Sequence, residues 1–124
     1  MCVLVVEDEF FIRQMLVEGL QEAGYEVKEA ATGDQAAAML DSIDPPLKIL
    51  ITDIHMPGRI SGIDLAVYVR ERLPEVPIIY TTGRPDALND VNLVGYRQAI
   101  IRKPYGPQDV IRQMQILLSP QVGG

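Results

Sequence analysis

Short apolar runs alternate with longer amphipathic stretches along the whole chain, and this alternation constrains the fold more than any other feature. The runs are Cys2 to Val6, Glu26 to Ala30, Lys48 to Thr52, Val76 to Thr81 and Ala99 to Arg102, mostly rich in Val, Ile or Leu. A short run that stays apolar on both of its faces is a strand covered on both sides, and a parallel sheet wrapped in helices is the usual way to achieve that. The intervening segments supply the helices. Phe11, Ile12, Met15, Leu16, Leu20 and Ala23 recur at helical spacing before Gly24. Gly33 to Ile43 is Ala-rich and ends at Asp44-Pro45-Pro46, while Ile63, Ala66, Val67 and Val69 to Leu73 form a third helix that Pro74 closes. Asp109 to Leu118 predicts a last helix; Asp86 to Val94, with Asn89 and Asn92 and then Gly95, has the poorest helical pattern. Right-handed crossovers turn this order into an α/β fold, a three-layer αβα sandwich around a five-stranded parallel sheet, with its ligand site off the carboxyl ends of the strands.

At 124 residues, with 48% apolar and 23% charged residues, the chain fits one core and leaves no room for a second domain. The expected division is a folded domain over residues 1–118 and a flexible tail over 119–124. A net charge of -6 repels phosphate backbones, so direct binding to nucleic acid is not expected. No apolar stretch is long enough to span a bilayer, so no membrane insertion is expected, and the start of the chain does not read as a signal peptide. One cysteine, Cys2, and one histidine, His55, exclude an internal disulfide and the usual zinc ligand sets. A cytoplasmic setting is the expectation. Any metal must be held by oxygens, which suits a hard cation such as Mg2+.

The predicted strand ends carry the chemistry. The first strand runs into Glu7-Asp8-Glu9, the third into Asp53, the fourth into Thr81-Thr82-Gly83 and the fifth into Lys103-Pro104. Three carboxylates brought to one rim repel each other unless a cation joins them, and Mg2+ beside carboxylates suits phosphoryl transfer. Each residue also has a plainer reading: Asp8 could cap the first helix, Glu9 could favour its positive end, and Lys103 could be a solvated loop charge. Asp53 has no helix to cap, since Met56-Pro57-Gly58 follows it.

Taken in order, Val5-Val6-Glu7-Asp8, Thr52-Asp53-Ile54-His55-Met56-Pro57-Gly58, Thr82-Gly83 and Lys103-Pro104-Tyr105 resemble the receiver domain of two-component response regulators, of chemotaxis-regulator type. The resemblance covers nearly the whole chain. It implies the flavodoxin-like strand order 2-1-3-4-5. It implies that Asp53 is the phosphoacceptor, taking a phosphoryl group from a phosphohistidine on a histidine kinase or phosphotransfer protein. Glu7, Asp8 and Asp53, with the backbone carbonyl of His55, would hold Mg2+; Lys103 would pair with phosphoryl oxygens, and Thr82 would donate its hydroxyl to them. His55 and Arg84 fall at positions that set the lifetime of the phosphoryl group in the family. Such a domain is not an enzyme beyond self-phosphotransfer and slow autodephosphorylation, and it acts by switching a downstream protein partner.

Three departures stand out. Glu7 replaces the commoner aspartate, the loop from Met56 to Gly62 is one residue longer than in the simplest receivers, and Ile100 stands where many members carry an aromatic ring. A receiver excised from a hybrid histidine kinase or multidomain regulator would look the same. A non-phosphorylated pseudo-receiver would normally have lost one of the acidic residues or the lysine. A haloacid-dehalogenase-type phosphatase needs a second aspartate two residues after the first, where His55 stands, and a nucleotide binder of doubly wound type wants a glycine-rich turn in place of Glu7-Asp8-Glu9.

Overall fold

A computed structural model describes residues 2–43, 46–84 and 97–119. Its elements run β1 (Cys2–Val6), α1 (Phe10–Glu22), β2 (Glu26–Ala30), α2 (Gly33–Leu40), β3 (Leu47–Asp53), α3 (Gly62–Arg72), β4 (Ile78–Thr82), β5 (Gln98–Arg102) and α4 (Pro107–Leu118). The strands form one parallel sheet in the order β2-β1-β3-β4-β5, as the receiver-domain resemblance implies. The helical pattern at 86–94 lies outside the described residues.

Alternate residues of the central strands feed two cores. Leu4, Val6, Leu50, Ile78 and Tyr80 face α2 and α3, where they meet Ala36, Leu65 and Val69. Val3, Val5, Ile49, Ile51 and Ile79 face α1 and α4, where they meet Leu16, Leu20, Val110 and Met114. This two-sided burial explains why β1 is apolar throughout, whereas the edge strand β2 keeps Glu26, Glu29 and Lys28 near water.

Several boundaries differ from the sequence pattern for local reasons. β4 begins at Ile78 and not Val76, because Pro77 has no N–H to give and serves only as the acceptor for the Leu50 N–H, at 3.1 Å. α2 stops at Leu40, three residues short of Ile43, where the N–H and hydroxyl of Ser42 both turn back to the Met39 carbonyl. α4 starts two residues earlier than Asp109, with Pro107 in its first turn, where a missing N–H costs nothing. α3 has a full capping box: Ser61 Oγ accepts the Asp64 N–H at 3.1 Å and Asp64 Oδ2 accepts the Ser61 N–H at 3.2 Å. No helix among the described residues is long and apolar enough to cross a membrane.

Candidate functional site

The chain leaves β1 toward β2 on one side and later places β3 on the other, so a crevice opens above β1 and β3. Glu7 follows β1 directly, and its N–H still bonds the Ala30 carbonyl at 3.1 Å, which holds it in line with the strand. Asp53 is the last residue of β3, tied across to β4 by the bond from the Ile54 N–H to the Thr81 carbonyl at 3.0 Å. Lys103 follows β5, and its N–H bonds the Thr82 carbonyl at 2.7 Å. The Lys103–Pro104 peptide bond is cis.

These strand ends converge. Carboxylate oxygens of Glu7, Asp8 and Asp53 all lie within 4.8 Å of one another. Lys103 Nζ sits 2.7 Å from Asp53 Oδ2 and 2.8 Å from Glu7 Oε1. Asp53 Oδ1 accepts the His55 N–H at 3.2 Å, and Glu7 Oε2 accepts the Glu9 N–H at 3.0 Å. Glu7 Oε1 is buried, and its contact with Lys103 is ionic without the angles of a directed hydrogen bond.

Glu7 is only 1% exposed. Burial raises its pKa and the charge of Asp53 adds to the rise, while Lys103 and the Glu9 N–H oppose it. Burial also works against the ammonium of Lys103, but its hydrogen bond to Asp53, its close contact with Glu7 and the Coulomb attraction of both carboxylates together outweigh that and push its pKa up. The lysine therefore stays charged and serves as the resident counter-ion of the cluster.

The family model described as "Response regulator receiver domain" matches residues 3–115. The chain belongs to the response regulator receiver family. This receiver domain is 32% identical to the response regulator receiver protein CpdR of Brucella abortus, over 94% of this chain and 95% of that protein. It is also 32% identical to the phosphate regulon transcriptional regulatory protein PhoB of Pseudomonas aeruginosa, over 94% of this chain but 51% of that protein. The chain spans about half the length of most of the curated relatives it matches. Among solved structures, the response regulator protein TrrA of Thermotoga maritima, in complex with Mg(2+)-BeF, matches at a TM-score of 0.81 and 32% identity, covering 94% of this chain and 98% of that one. A chemotaxis protein of Vibrio cholerae, CheY4, matches at a TM-score of 0.82 and 31% identity over 94% and 98% of the two chains.

Of the residues singled out by sequence, the receiver brings Glu7, Asp8, Asp53 and Lys103 into one cluster. Asp8 is exposed and does not cap α1: the N-cap is Glu9, and no side chain caps that end. His55 is exposed and reaches Asp53 through its N–H. Thr82 is buried and engaged elsewhere, its hydroxyl accepting the Arg84 N–H at 3.0 Å and donating to the Arg84 carbonyl at 3.1 Å.

Arg13 was not legible as a site residue. Its Nη1 donates to the Glu7 carbonyl at 2.7 Å and its Nε to Glu29 Oε1 at 3.0 Å, so it braces the turn that carries the acidic pair. A faint signal exists, because an arginine this near a helix N-terminus opposes the helix dipole and needs a compensating contact.

Proposed function

We propose that Asp53 is the phosphoacceptor of this receiver domain. Its carboxylate attacks the phosphorus of a phosphohistidine on a histidine kinase or phosphotransfer protein. The P–N bond breaks, the Asp53 oxygen forms the new bond to phosphorus, and the imidazole leaves and takes up a proton. The observation that carries this reading is the cluster itself: Asp53 at a strand end, 6% exposed, with Lys103 on one oxygen and the carboxylates of Glu7 and Asp8 beside it.

The donors fit Mg2+. They are all oxygens, they converge, and Glu7 Oε1 is a buried acceptor without a hydrogen bond. Glu7, Asp8 and Asp53, with the His55 carbonyl, would hold the ion, which when bound supplies positive charge for the phosphoryl oxygens and relieves the repulsion among the carboxylates. The chain's own residues do the rest. Lys103 keeps one Asp53 oxygen oriented and offers its ammonium to the incoming group. The His55 N–H fixes the other oxygen. Near-total burial of Glu7 keeps water from screening these charges.

Adding a phosphoryl group of about -2 charge leaves the site with excess negative charge that attracts donors. Thr82 supplies one, after giving up its two bonds to the Arg84 backbone. That exchange, on the α2 and α3 side of β4, is the proposed start of the switch that alters binding of a downstream protein partner. The net charge of -6 supports a domain that does not itself bind nucleic acid.

Incubation with acetyl phosphate and Mg2+ tests the reading by intact mass. One phosphoryl equivalent is expected on the parent and none on Asp53→Asn. Equal labelling of that variant would move the nucleophile elsewhere.

A further inference from the structure

Tyr105 stands two residues after Lys103, between β5 and α4. Its ring packs on the core shared by α1, α4 and the sheet, alongside residues such as Val5, Ile51 and Ile79. The phenol oxygen is buried and has no hydrogen-bond partner, a condition shared among the described side chains only by Glu7 Oε1 and Arg70 Nε. Leaving a hydroxyl dry and unbonded costs about 1–3 kcal/mol, and a phenylalanine here would avoid that cost.

The surroundings say what the hydroxyl is for. Thr81 bears on it as a hydrogen-bonding neighbour that favours phenol ionisation slightly, yet the phenol oxygen makes no directed hydrogen bond. Burial, and then the negative charges of Glu7 and Asp53, hold the phenol pKa up to about 12 against the opposing pull of Lys103 and Thr81, so the group remains a neutral donor. Thr81 is itself buried and is paired in register with Asp53 on the neighbouring strand. Residues on one strand alternate between faces, so Thr81 shares the α1 and α4 side with Ile79, while Thr82 lies on the side of Tyr80.

We propose that Tyr105 and Thr81 form a latent hydroxyl pair of the phosphoacceptor site, which closes into a hydrogen bond when Asp53 is loaded. The inference rests on Asp53 being the phosphoacceptor. Loading adds negative charge one strand away from Thr81. The hydroxyl hydrogen of Thr81 then turns toward that charge, its oxygen is freed to accept, and Tyr105 donates to it, so that the two bonds polarise each other in one direction. No covalent change is involved. Tyr105 immediately precedes Gly106, the N-cap of α4, so the closing bond registers at the start of that helix. This route does not need an aromatic at position 100, where Ile100 has no polar tip to turn.

Beryllofluoride with Mg2+ serves as the probe, titrated against the full chain and followed by melting temperature and by intrinsic tyrosine fluorescence. The proteins are the parent, Tyr105→Phe, Thr81→Val and the double variant. Without ligand, Tyr105→Phe should melt at or above the parent, because it removes an unbonded buried hydroxyl. Each single variant should weaken beryllofluoride binding about three- to tenfold, the worth of one hydrogen bond, and the double variant should lose no more than the weaker single. Binding of Mg2+ alone should be unchanged. A Tyr105→Phe protein that melts below the parent, additive losses, or unaltered beryllofluoride binding would overturn the pair. A parent that binds no beryllofluoride would instead overturn the phosphoacceptor reading, and the pair with it.

Discussion

Lys103 Nζ lies 2.7 Å from Asp53 Oδ2, a contact between residues 50 positions apart that closes the cluster at the end of β3. The same ammonium reaches Glu7 Oε1, so a single cation offsets two buried carboxylates. Removing it leaves both uncompensated.

Lys103→Met keeps an unbranched chain through the ε position and removes the ammonium with its charge. It should destabilise the domain by about 3 kcal/mol at pH 8, since breaking a buried ion pair strands its partner. The loss should shrink toward pH 5 as Glu7, whose pKa is already raised, takes up a proton. Urea denaturation at the two pH values measures both quantities. A pH-independent loss would mean that the lysine acts through packing alone.

Glu7 makes its own pH signature. Its folded pKa lies above the ordinary 4.5, so the folded state binds the proton more tightly than the unfolded chain does. Its contribution to stability is therefore greatest in acid and is lost as pH rises through the raised value. Without Mg2+, Glu7→Gln should gain stability relative to the parent from about pH 4.5 upward and then level off. If the difference runs the other way, the ionised form of Glu7 is the favoured one in the fold.

Binding of Mg2+ should raise the melting temperature, because an ion held only by the folded cluster stabilises it by about 1.4 kcal/mol at ten times its Kd. Chelator should return the lower value. In Asp8→Ala the exposed member of the cluster is gone, and the response should fall away while the metal-free melting temperature stays level or rises slightly, because one repelling carboxylate is removed. A full response in that variant would place the ion elsewhere.

Gly62 and Gly83 give a matched contrast. A Cβ on Gly62 would stand 1.9 Å from the Asp53 carbonyl oxygen, whereas among the described residues one on Gly83 would meet only Lys103 Cδ, at 3.9 Å. Gly62→Ala should cost at least about 3 kcal/mol, since backbone cannot move aside as a side chain can. Gly83→Ala should stay within about 0.5 kcal/mol. Denaturation midpoints decide it, and similar costs would mean that the loop before α3 yields freely.

The strands were legible because a parallel sheet buried on both faces leaves continuous apolar runs such as Val3 to Val6, and Glu7, Asp53 and Lys103 follow from where those runs end. What escaped was polar bracing between distant segments. Arg13 serves the Glu7 carbonyl, and Asp34 accepts the Ile60 N–H at 3.0 Å across 26 residues. A partner that is a main-chain group leaves no mark on the sequence at its own position, so neither pairing can be read from residue types. Thr82 could be picked out from its spacing after Pro77, but that Thr81 and Thr82 lie on opposite faces of the sheet follows from the register of β4 with β3.

The Asp34 contact sets where this loop can change its length. The segment after Asp53 is clipped twice: at its far end the Gly62 N–H returns to the Ile54 carbonyl at 3.0 Å, and just before that Asp34 holds Ile60 while Gly58, at φ 101°, turns beside the same carboxylate. With the His55 N–H held by Asp53 and Met56 packed on the core, residues 57 to 59 are an arc between fixed clasps. An insertion there changes only the height of the arc, so this loop can lengthen, and the surface around Asp53 change, while the strand end beneath it stays where the sheet holds it.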